Sequence, residues 1–158
     1  MEKIEKLLAQ IKKNDLDFNK GLNQYSDDYL NACIEIREID NISHMPYIME
    51  TLHDWHYSGS YADWVGDLIV GYYHTDSQKT VETFISNIDK MYPHAKETLA
   101  YILSEFLARE ACKGYAFDAF SKLSFEKKII FKEIYLNVLI EDSKLAIPEI
   151  DEAIKGIN

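Results

Sequence analysis

The sequence predicts an all-α protein. Three observations carry that prediction: apolar residues recur at helical spacing along nearly the whole chain, capping residues stand where those runs begin, and no run alternates apolar with polar residues between hairpin turns as a strand would. Taken in order, Ile4, Leu7, Leu8 and Ile11 line one face of an opening amphipathic helix. Ser26, followed by Asp27 and Asp28, supplies a cap and an acidic first turn to a second helix carrying Leu30, Cys33 and Ile34. Further helices are predicted from about Ser43 to Trp55 and from about Ser60 to His74. Thr75-Asp76-Ser77-Gln78 reads as a capping box for a helix through Val81, Phe84, Ile85 and Ile88. Pro93 suits the first position of the next helix, which carries Leu99, Ile102, Leu103, Phe106 and Leu107. Ser124 caps a long helix with Ile129, Ile130, Phe131, Ile134, Val138 and Leu139, and Pro148 opens a short last one with Ile150, Ile154 and Ile157.

A chain of 158 residues is the size of one domain and can bury roughly 70% of its unfolded surface without staples. A single all-helical domain over 1–158 is therefore expected, with no Pro, Gly or Ser tract to mark a linker. Cys33 and Cys112 stand far apart and outside any CxxC pair, so both read as buried thiols; Lys113 beside Cys112 is the one hint of thiol activation. The opening MEKIEKLLAQIKKND mixes charged with apolar residues, and no segment approaches the ~20 uncharged residues of a membrane span. A soluble, cytoplasmic protein without membrane association is the expectation.

Net charge is −10, and its distribution is uneven. Between Asp27 and Asp89 stand twelve acidic residues against two basic ones, Arg37 and Lys79, while the remainder balances fifteen of each sign. Such a field repels phosphate backbones and speeds encounter with basic partners, so direct nucleic-acid binding is not expected.

Two of the predicted helix pairs, 43 to 74 and 76 to 109, superpose in sequence pattern. A shift of 34 positions sets Val65 on Leu99, Leu68 on Ile102, Ile69 on Leu103, Tyr72 on Phe106 and Tyr73 on Leu107, with Gly66 on Ala100 as a shared small residue that lets neighbouring helices approach. A shift of 35 places Leu30, Cys33 and Ile34 on Val65, Leu68 and Ile69, although Arg37 then replaces Tyr72. Over residues 26 to 110 the pattern resembles a short HEAT-like array of helical hairpins. That resemblance implies stacked antiparallel hairpins, about seven to nine helices in a right-handed array or an irregular bundle.

The segment TLHDWHYSG concentrates His53, Asp54, Trp55 and His56. Glu50, His53 and His56 fall at helical spacing and could ligate a metal. Glu50 with His53 matches the Glu-x-x-His pair of di-iron bundles, but the sequence has no second such pair. His-Asp also matches the HD phosphohydrolase dipeptide, whose further ligands would have to come from His44, His74 and His94. A metal-dependent hydrolase centred on Glu50, His53 and His56 is thus one alternative. The simpler reading ends a helix near His56 and turns through Gly59, leaving Trp55 or Tyr57 at a hairpin tip as an aromatic anchor. GxSxG, GxxxxGK[ST], HExxH and GxGxxG are all absent from the sequence, so neither catalysis, a metal nor a cofactor is expected.

With Val65, Leu68, Ile69 and Tyr72 turned inward, Asp63 and Asp67 face outward, and the 34-residue shift carries this row to Glu97, Tyr101 and Glu105. Asp28 and Glu35 occupy related rows in the weaker unit. Adjacent helices would then join these carboxylates into one stripe around a tyrosine. A small acidic helical protein of this kind resembles the immunity proteins that bacteria make against their own contact-delivered or polymorphic toxins. The resemblance implies binding of a cognate, basic, nuclease-like toxin domain and occlusion of its active site. Asp63, Asp67, Glu97, Tyr101, Glu105, Trp55 and Tyr57 are the candidate partner-binding residues. A generic helical adaptor for a basic partner or peptide is the other alternative, and oligomeric state is left open.

Overall fold

The computed structural model describes residues 2–19, 27–52 and 59–158, without the side chains of 14–19, 27–29 and 59–61. Among the described residues the chain is all-α, with no strand. The helices are α1 (Glu2–Asn19), α2 (Asp27–Ile39), α3 (Met45–Glu50), α4 (Gly59–Gly71), α5 (Ser77–Ser86), α6 (Lys96–Leu107), α7 (Glu110–Ser121), α8 (Phe125–Glu141) and α9 (Pro148–Ile154), and four 3-10 turns lie between them.

Alternate helices pack side by side. In one layer α4 lies along α6 and α6 along α8; in the other α3 meets α5, α5 lies on α7, and α7 touches α9. That order is the one stacked hairpins produce, while α1 and α2 pair with each other. One apolar core runs between the layers from Ile4 to Ile157. Ring pairs tie the layers together: Phe84 of α5 meets Phe106 of α6 edge-on at 5.6 Å, and Phe120 of α7 meets Phe131 of α8 at 5.0 Å. Both cysteines are buried thiols, and burial pushes that of Cys112 up while Arg109 opposes the shift. Lys113 pairs with Glu110 at 3.6 Å.

The 34-residue frame holds in burial. Val65, Leu68, Ile69 and Tyr72 face the core, as do Leu99, Ile102, Leu103 and Phe106. Gly66 lets α4 and α6 approach: a Cβ there would lie 3.1 Å from Cδ1 of Tyr101 and 3.4 Å from the Thr98 methyl. On α2 the 35-residue frame holds at Cys33 alone. Leu30 and Ile34 are 49% and 56% exposed, because the helix turns Ala32 and Ile36 inward beside Cys33.

Several boundaries differ from those predicted. Asp76 rather than Thr75 caps α5, accepting from the Lys79 amide, because the Thr75 hydroxyl donates to Asp40 at 2.5 Å. Asp40 ends α2 in the left-handed region at φ 41°, which a short polar side chain tolerates. Pro93 follows a cis peptide bond in the turn before α6, which begins at Lys96. Helix α7 was not predicted, although Cys112, Ala116, Ala119 and Phe120 form its buried face. Ser124 caps α8 and Pro148 opens α9 as expected. Tyr135 latches α9 to α8: its buried hydroxyl donates to Asp151 at 2.6 Å and accepts from the Ile147 amide at 2.8 Å.

Candidate protein-binding face

The outer face of the α4–α6–α8 layer collects the predicted acidic residues. Each lies opposite its helix's core row, so the apolar periodicity that buries Val65 and Ile69 on α4, or Leu99 and Leu103 on α6, turns them out. Asp63, Asp67 and Glu97 are exposed and Glu105 is half-buried. Tyr101 lies at the centre. Its ring leans over Gly66, 41% of it remains exposed, and its hydroxyl donates to Asp67 Oδ1 at 3.0 Å. Burial first, then the hydrogen bond to Asp67 and the charges of Asp67, Glu105 and Asp63, push its pKa up to about 12. The hydrogen bond from Tyr101 to Asp67 joins α6 to α4 across this face, with Glu105 and Asp63 near enough to raise the phenol further.

Two cations stand at the rim, one paired with Glu133 and the other with Glu105. Lys96 binds Glu133 of α8 at 2.7 Å and lies over the Tyr92 ring at 5.2 Å. The bond from Lys96, then that from the Tyr92 hydroxyl, hold the Glu133 carboxyl below its ordinary range. Arg109 donates to the Glu105 carbonyl and stacks over Tyr73 at 4.5 Å, leaving its guanidinium 3.9 Å from the Glu105 carboxylate.

Other sequence candidates are placed differently or lie elsewhere. Glu35 turns toward α1 and binds Lys3 at 2.6 Å, so it is not part of the face. His53, Asp54, Trp55, His56 and Tyr57 fall outside the described residues, as does the side chain of Asp28. Glu50 is exposed and stands 3.8 Å from Lys90. His44, His74 and His94 occupy three separate turns, and among the described residues no three His, Cys, Asp or Glu side chains are grouped to hold a metal ion.

One part of the face was missed. Phe125, Ile129, Leu136 and Ile140 of α8 are 59%, 40%, 40% and 79% exposed. Their spacing of four, seven and four is a helical row and was the available signal. At the C-terminal end of that row, where Ile140 lines it, a groove of about 710 Å³ lies between α6 and α8.

In comparisons with known proteins, no family model, no curated protein and no solved structure matches this chain. Among the described residues no helix is long and apolar enough to cross a membrane. Fold and face together define an all-α protein with an acidic, tyrosine-centred surface.

Proposed function

We propose that this chain binds a basic protein through the outer face of α4 and α6, as an immunity-type inhibitor that occludes the active site of a nuclease-like toxin domain. The observation that supports it is the hydrogen bond of Tyr101 to Asp67 with Asp63 and Glu105 close by, while Lys96 is held by Glu133 and Arg109 pairs with Glu105 alone of these acids. Solvated helix faces ordinarily mix both signs, whereas this one concentrates negative charge around an amphipathic ring. Carboxylates at this density present a nuclease groove with the charge it would otherwise find on phosphates. Encounter would then be steered electrostatically and weaken as salt screens the field.

The test uses the product of the gene adjacent to this one in its source genome. Its affinity is measured at low and moderate salt for the native chain and for Asp63→Lys, Asp67→Lys, Glu105→Lys combined. The proposal expects tight, salt-sensitive binding that the triple variant loses, together with inhibition of the partner's nucleic-acid cleavage. Binding without inhibition would leave a helical adaptor. Unchanged binding by a folded triple variant would overturn the proposal.

A further inference from the structure

We infer that the groove between α6 and α8 receives an amphipathic, basic helix of the partner. This rests on the reading that the adjoining face binds a basic protein, and it adds an apolar subsite and the kind of segment that fills it. Three features point there. The first is the exposed row on α8. At 100° per residue, Phe125, Ile129, Leu136 and Ile140 fall within about 60° of one another, opposite the buried Phe131, Ile134, Tyr135 and Val138. Scattered apolar residues are ordinary on a protein surface, but a row running the length of a helix is the mark of a contact surface.

The second feature is the shape of the groove, which the row enters at its last residue, Ile140. On the α6 side, Ala100, Ser104 and Ala108 recur every four residues and leave a shallow trough; on the α8 side stand Val138 and Ile140. Small residues at that period allow another helix to settle between two existing ones at the usual separation of about 8 to 10 Å. Along α6 the lining runs from Lys96 to Ala108, about 18 Å, which matches roughly three helical turns of an occupant.

The third feature is charge. Glu97 and Glu105 border the groove on one side and Glu141 with Asp142 close it on the other, while Lys96, the cation in its lining, is bound to Glu133. A second copy of this chain carries a net charge of −10 and would bring the same carboxylates against this rim. An anionic lipid surface is repelled likewise. The complementary occupant has apolar residues at three- and four-residue spacing flanked by Lys and Arg, held in the manner of helices bound in apolar grooves.

The probe is a synthetic Leu/Lys peptide of about 15 residues with its leucines on one helical face, beside a peptide of the same composition with leucines spread around the helix. Binding is followed by fluorescence anisotropy, peptide helicity by circular dichroism, and location by amide NMR shifts of the protein. The one-faced peptide is expected to bind saturably, gain helicity and shift amides of 100–108 and 136–142. Ile140→Lys with Glu141→Lys, both exposed residues of the α8 lining, should weaken it about tenfold or more, with circular dichroism verifying the fold. Asp63→Lys with Asp67→Lys, outside the groove, should change it far less. Equal binding of the spread peptide, shifts elsewhere on the molecule, or indifference to the α8 pair would each overturn the inference. The two readings also separate with the natural partner. Loss on reversal of Asp63 and Asp67 but not on the α8 pair leaves the acidic face standing and removes the groove.

Discussion

Tyr101 offers an internal reporter of whether the predicted acids truly converge. An ordinary tyrosine with a pKa near 10 would be about 91% ionised at pH 11, whereas one raised to about 12 would be about 9% ionised. That tenfold contrast at a single pH avoids the more alkaline range in which the fold would be challenged. Asp67→Asn removes the charge and leaves only a neutral acceptor beside burial, Glu105 and Asp63, so the ionised fraction at pH 11 should rise severalfold without reaching that of a free phenol. The assay is ¹³C NMR of ring-labelled tyrosine, with Tyr101→Phe to assign the resonance and far-ultraviolet circular dichroism to verify folding. The raised pKa favours the protonated phenol in the folded state. Its contribution to stability is therefore whole below pH 10 and is lost as pH climbs toward 12. A Tyr101 that titrates near 10 regardless of Asp67 would refute the convergence on which the face is built.

Other expectations follow from neighbouring contacts. Tyr135→Phe leaves the Ile147 amide buried without its acceptor and should cost about 1 to 3 kcal/mol, read as a melting temperature lower by several degrees and faster exchange of that amide. Gly66→Leu must push Tyr101 and Thr98 aside and should destabilise by about 1 to 3 kcal/mol, whereas Gly71→Ala, with nothing within 4 Å of the added Cβ, should be neutral or stabilise by up to about 1 kcal/mol. Equal melting temperatures for the two glycine variants would contradict the close approach of α4 to α6. Glu133 has a lowered carboxyl pKa, so its stabilising effect is present above the ordinary carboxylate range and fades as pH falls through its own value. Denaturation midpoints of Glu133→Gln and the native chain should therefore differ at pH 7 and converge as pH falls below the ordinary carboxylate range.

How far the sequence could be read depended on contrast between helix faces. On α4 and α6, polar rows stand opposite apolar rows, so Val65 and Leu99 could be assigned inward and Asp67 and Tyr101 outward, and the hydrogen bond between that outward pair joins positions 34 apart. Helix α8 lacks this contrast. Apolar residues surround it, so the buried Phe131 and the exposed Ile129 look alike in sequence, and the groove beside it could not be foreseen. Helix α7 was missed for a related reason: Gly114 breaks its pattern, and the partly buried Tyr115 and Phe117 blur the row formed by Cys112, Ala116 and Ala119. On α2 the small Ala32 gave little signal beside Leu30 and Ile34, yet it is Ala32 that packs inward. Pro93 is as compatible with a turn as with a first helical residue, and only tertiary packing decides between them.

The most direct test of the whole account is hydrogen–deuterium exchange of this chain alone and in complex with its basic partner. The account predicts protection concentrated on α4 around 63–67, α6 around 97–105 and the outer face of α8, diminishing as salt is raised. Protection confined to α1, α2 and α9, with α4 and α6 exchanging as they do in the free protein, would contradict it.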